Sequence, residues 1–146
     1  MRLFRKLDRF WRMDGKERAL LVEASLCLAF ARLALVAVPF NRIVPWLQRA
    51  PDTQSDCAER NAAAIAAVRR AVVMAARNVP WNAVCLPQAM AGKAMLARRG
   101  QGSALLIGAA LPDRGTPMAH AWLVAGGEIV IGEADAGDVT PLVRFG

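Results

Sequence analysis

A change of hydrophobic period near Gly100 constrains the fold of this chain more than any other feature. Upstream of it, Ile65, Val68, Val72, Ala75 and Val79 recur at three-to-four spacing, with Arg60, Arg69, Arg70 and Arg77 off that stripe. This predicts a helix from about Ala58 to Asn78, stopped by Asn78 and Pro80. A second helix is predicted from Leu86-Pro87 to Arg99, with Pro87 in its first turn and Gly100 just past its end, so that Cys85 lies at or just before its N-terminus. Downstream the pattern is extended. Ser103 to Ala109 is a short apolar run of the kind buried on both faces, and Leu111 to Pro117 reads as a Pro/Gly loop. Ala119 to Ala125 and Glu128 to Glu133 flank Gly126-Gly127, a dipeptide that suits a two-residue hairpin turn. Helices first and a small antiparallel sheet afterwards predict an α+β fold.

The N-terminal third needs separate treatment. Residues 1–18 carry seven basic and three acidic side chains, with Leu3, Phe4, Leu7, Phe10 and Trp11 at roughly helical spacing. They read as an amphipathic helix leading into a second, apolar one from Ala19 to Phe40. Glu23 and Arg32 interrupt that apolar stretch and leave uncharged runs of 8 and 9 residues, against the 20 or so that a spanning helix requires. It is therefore read as a largely buried core helix, with weak membrane-surface association of Phe4, Trp11 and the flanking cations as the alternative. Pro39 closes the helix pair, and Pro45, Pro51, Asp52, Thr53, Ser55 and Asp56 form a loop. At 146 residues the chain is expected to form one domain, 1–146, with a helical segment over 1–50 and a catalytic core over 58–146.

Composition excludes several kinds of function. A net charge of +7 and a pI near 10.6 suit a nucleic-acid binder, but there is no zinc-finger spacing, no Gly-rich clamp and no Tyr, so no nucleic-acid partner is expected. The charge is assigned to solvated helix faces and to docking of an acidic peptide or partner. With one histidine and three isolated cysteines, Cys27, Cys57 and Cys85, neither a metal site, a cofactor nor a disulfide scaffold is expected, and a reducing cytoplasmic setting fits.

That scarcity also selects the candidate chemistry. A thiol at a helix N-terminus meets the positive end of the helix dipole and unpaired backbone N–H groups, which favour thiolate and can hold an oxyanion. Only Cys85 has this context; Cys27 reads as packing and Cys57 has no apparent helper. Any histidine assisting it must be His120. If Gly126-Gly127 is a two-residue loop, Ala125 pairs with Glu128 and the register carries on so that His120 faces Glu133, whose carboxylate then orients the imidazole. A longer loop makes Asp135 and Asp138 the candidates instead.

Three segments then resemble one family: Asn78-Val79-Pro80-Trp81 followed by Cys85-Leu86-Pro87-Gln88-Ala89 and its helix, the strand Ala104-Leu105-Leu106-Ile107-Gly108, and Ala119-His120-Ala121-Trp122-Leu123 with its hairpin. Together they resemble the transglutaminase-like leader peptidases of lasso-peptide biosynthesis, the C-terminal part of the microcin-processing B proteins, in discrete form. The resemblance implies a papain-like cysteine peptidase that cleaves the leader from a ribosomally made lasso precursor peptide before macrolactam closure. It implies Cys85 as nucleophile, His120 as base, and an acid at Glu133 or, second, Asp135. The backbone N–H groups of Cys85 and Leu86 would stabilise the oxyanion. It also implies a separate leader-binding recognition protein and the macrolactam synthetase as partners. A non-catalytic helical scaffold or membrane-surface adaptor, and another transglutaminase-fold amidase or acyltransferase, are the alternatives.

Overall fold

The computed structural model describes residues 8, 10–48, 58–110, 118–132 and 139–145. Cys57, Glu133, Asp135, Asp138 and the expected loops at 51–56 and 111–117 lie outside them. Four helices have described bounds: α1 Gly15–Ala37, α2 Phe40–Gln48, α3 Ala58–Ala76 and α4 Cys85–Ala97. Strands β1 Ala104–Ala110, β2 Met118–Ala125, β3 Glu128–Ile131 and β4 Val139–Phe145 form one antiparallel sheet in the order β3-β2-β1-β4. The fold is α+β, helices before sheet.

Local chemistry accounts for most boundaries. The Asp14 carboxylate accepts from the Lys16 N–H at 3.4 Å and caps α1. The Asn78 side-chain amide donates to the Met74 carbonyl at 2.7 Å beyond the end of α3. Past α4, the Gly100 N–H bonds the Ala97 carbonyl and the Gln101 N–H the Leu96 carbonyl, the paired closure of a Schellman motif. Gly126 and Gly127 adopt φ of 61° and 82°, as the two-residue turn between β2 and β3 demands.

Three expectations change. Pro45 stands inside α2, where a loop was expected; its missing N–H costs one hydrogen bond, but Ile43 and Leu47, four residues apart, are both buried and hold the helix in place. Strand β4 adds a fourth strand that the sequence reading did not include; it lies at the sheet edge, with a bulge opposite Ile107/Gly108, where Pro141 is tolerated. Finally, α1 is not largely buried. Only Ala24, Leu28 and Ala31 are sealed, while Val22, Leu26, Phe30, Leu33 and Val36 face outward. The small side chains of Ala24 and Ala31 let α3 and α4 pack on one face, and the sheet meets the other side of α4, so no described element covers the outer face. By length and composition α1 also qualifies to cross a membrane despite Glu23 and Arg32.

Helix α4 is the centre of the assembly. Pro87, Ala89, Met90, Ala91, Gly92, Lys93, Met95 and Leu96 are all buried, with α1 and α3 on one side and β2 on the other. Its far end is tied to α1: Arg99 donates to both Glu23 carboxylate oxygens, at 3.0 and 2.7 Å. The Arg99 hydrogen bonds hold the Glu23 carboxyl below its ordinary value of 4.5, against the opposing effect of burial. A carboxylate with a depressed pKa in the folded state contributes stability above that ordinary value and loses it as pH falls through the folded one. Glu23→Gln should therefore lower stability at neutral pH by about 1–2 kcal/mol. Urea unfolding should show that gap closing as pH falls below the ordinary carboxylate range.

Candidate active site

Cys85 is the first residue of α4, preceded by Val84 in extended conformation with no side-chain cap. Pro87 has no N–H, and the Gln88 N–H is the first to bond back, to the Val84 carbonyl. The N–H groups of Cys85 and Leu86 therefore have no acceptor among the described residues. An uncapped helix start of this kind presents two donors beside a half-buried thiol. The Gln88 amide donates to the Ala83 carbonyl and fixes the turn that leads into Cys85.

His120 lies near the start of β2, paired with Gly108 of β1. Its Nε2 sits 3.3 Å from the Gly132 carbonyl, and its ring stacks on Trp122 with centroids 5.8 Å apart and planes inclined by 24°. Gly132 reaches this position with φ of 92°; a Cβ there would lie 2.8 Å from Trp122 Cβ and 2.9 Å from the Ala121 carbonyl. Two independent reasons thus require glycine beside the imidazole.

The seating of α4 on the sheet relates these two residues. At Gly92 the helix comes so close that a Cβ would lie 2.6 Å from Ile131 Cδ1 and 2.8 Å from Leu123 Cδ2. At Lys93 the buried ammonium donates to the Ser103 and Phe145 carbonyls at 2.7 and 3.3 Å, joining α4 to the start of β1 and the end of β4. Burial pushes the Lys93 pKa down. Residues 98–103 return the chain from α4 into β1, so the helix runs antiparallel to β1 and along β2. Cys85 lies about 11 Å along the helix from Gly92, and His120 about 10 Å along the strand from Leu123, in the same direction. Both therefore occupy one end of the helix–sheet unit.

They do not share a face. Ala121, Leu123 and Ala125 belong to the core shared with the helices, so strand alternation turns His120 and Trp122 to the opposite side. Among the described residues no hydrogen bond joins the imidazole to the Cys85 thiol. The register argument for Glu133 also changes. Ala125 pairs with Glu128 and Val124 with Ile129 as expected, but Leu123 then pairs with Ile131, leaving Val130 as an extra residue. An unbroken register no longer supports Glu133, and Glu133, Asp135 and Asp138 are outside the described residues.

Gly92 and Lys93, which position the site, went unremarked in the sequence. Their signal was a glycine and a lysine side by side within the apolar run of a helix. Cys27 is a packing thiol, its pKa pushed up first by burial and then by Glu23.

Comparison with known families matches residues 25–144 to the transglutaminase-like superfamily. No curated protein and no solved structure matches the chain.

Two measurements check this geometry. In a Cys57→Ser background, iodoacetamide should label Cys85 about tenfold faster than Cys27 near neutral pH, because burial keeps Cys27 protonated. Gly132→Ala should cost about 2–3 kcal/mol in chemical denaturation, with Gly127→Ala, which meets no neighbour, costing about 1.

Proposed function

The chain belongs to the transglutaminase-like superfamily, and from that membership we propose that it is a cysteine peptidase that removes the leader from a ribosomally made lasso precursor peptide. The observation that carries the reading is Cys85 at the uncapped start of α4, with the Cys85 and Leu86 N–H groups open to an oxyanion. Members of this superfamily include cysteine peptidases and acyltransferases, and a helix-start thiol serves either chemistry. The finer specificity rests on the order and spacing of the three segments centred on Cys85, Leu105 and His120.

In the proposed reaction the Cys85 thiolate attacks the carbonyl at the leader–core junction. The two N–H groups hold the oxyanion, and His120 gives its proton to the departing core amine. The leader then forms a thioester with Cys85, and water releases it as a free carboxylate. The reading requires β2 to present His120 on the α4 side when peptide is bound, a change from the face it occupies in the free protein. The acid that orients His120 is proposed to be Glu133, with Asp135 as second choice. The proposed partners are a separate leader-binding protein and the macrolactam synthetase that uses the freed core terminus, in the cytoplasm.

Cys85→Ala and His120→Ala should each abolish precursor cleavage, by at least about a thousandfold, while leaving the circular dichroism spectrum unchanged. Mass spectrometry of the products should give two hydrolysed fragments; an amine-substituted leader would assign the chain to acyl transfer instead. Glu133→Gln should slow cleavage about a hundredfold, whereas a comparable loss in Asp135→Asn alone would move the acid to that position.

A further inference from the structure

The outer face of α1 has an apolar stripe without a partner among the described residues. Val22, Leu26, Phe30, Leu33 and Val36 project from one side of the helix, with Phe30 72% and Val36 75% exposed. The stripe runs for about 21 Å and carries no charged side chain. Isolated exposed apolar residues are ordinary on a protein surface, but a contiguous row of this length is not.

The charges around the stripe indicate what covers it. Helical geometry places Arg18 and Arg32 along one edge and Lys16 at the N-terminal end of the other. Of the acids nearby, Asp8 pairs with Arg12 at 3.2 Å, Asp14 caps the helix and Glu23 is clamped by Arg99 at 2.7 Å with Arg98 at 3.6 Å, while Glu17 lies on the side turned to α3, lining a hollow with Ala67, Arg70 and Met74. Aromatic side chains lie at both ends. Trp11, 69% exposed, rests under the Arg18 guanidinium at 5.7 Å, and Trp46 is exposed on α2, the helix that follows α1, whereas Phe40 turns its ring edge-on against Phe145 of the core. An apolar stripe bordered by cations and flanked by tryptophans is the pattern of a helix lying in a bilayer interface. A second copy fits less well: stacked head to tail, two such stripes bring their Arg18 and Arg32 edges together, and stacked in parallel they set that edge against a side whose one carboxylate, Glu23, is already held by Arg99. A spanning arrangement fits poorly too, because Ala24, Leu28 and Ala31 are already committed to the packing with α3 and α4.

We infer that the outer face of α1 docks the protein on an anionic lipid surface, with the stripe in the acyl boundary and Lys16, Arg18 and Arg32 at the headgroups. This docking is independent of the peptidase reading.

Flotation of the full chain tests it, using vesicles of phosphatidylcholine and phosphatidylglycerol in equal parts against phosphatidylcholine alone. The chain should float with the anionic vesicles, and raised salt should weaken the binding. Arg32→Gln should reduce partitioning about fivefold. The pair Leu26→Ser and Phe30→Ser should reduce it about a hundredfold, near tenfold for each lost side chain. Both residues are exposed, so the double variant should keep the wild-type thermal midpoint, and Val22→Ser with Leu33→Ser provides a second test on the same stripe. Failure of the wild type to bind the anionic vesicles would overturn the inference, as would undiminished binding by both double variants. It would equally be overturned by a wild-type dimer in sedimentation, or a complex with the soluble leader-binding protein, that the Leu26→Ser, Phe30→Ser variant dissolves.

Discussion

The close seating of α4 on the sheet is the contact on which the rest of the structure depends. Where Gly92 meets Ile131 and Leu123 a methyl group would fit only if both side-chain ends moved aside, and the next residue inserts an ammonium between the Ser103 and Phe145 carbonyls. A buried lysine is expensive unless its donors are satisfied. Here two of them fix the helix against the start of the strand that follows it and against the last strand, which is 52 residues away in sequence. The direction of α4 follows from this contact, and that direction puts its uncapped N-terminus at the end of the domain where β2 begins. Cys85 and His120 come to the same region because one helix is pinned at its middle.

The same contact explains why α1 is so exposed. Helix α4 is buried on all sides, between the sheet and the pair α1 and α3, so α1 is the outermost element and can bury only one of its faces. A helix that is apolar nearly all round but buried on one side calls for either a further layer of protein or a lipid surface. The Glu23–Arg99 clamp pins α1 to the far end of α4, so the inner face is fixed while the outer one stays open. The end that carries Cys85 and the open outer face of α1 are thus both set by one central helix.

Much of this was legible in the sequence. The three-to-four stripe of Ile65, Val68, Val72 and Ala75 marked α3, Gly100 marked the close of α4, Gly126-Gly127 marked the hairpin, and Cys85 was placed at a helix start, all through local rules of period, capping and turn chemistry. What was hidden depends on distant partners. Pro45 is helical because Ile43 and Leu47 are buried by elements far along the chain. Pro141 is tolerated because β4 lies at an edge, which no local pattern reveals. The extra residue at Val130 shifts the register by one, and a one-residue shift moves every later side chain to the other face; that is why the pairing of His120 with Glu133 could not be carried through. The face of β2 that the imidazole occupies was likewise decided by packing against α4.

The central claim is that Cys85 is the nucleophile of a peptidase built on this helix start. It is tested most directly by acid-quenching the protein during turnover of its precursor peptide and locating any covalent adduct by mass spectrometry. The account predicts the leader joined as a thioester to the peptide that contains Cys85. Leader found on Cys27 or Cys57, or cleavage that proceeds at full rate in Cys85→Ala, would contradict it.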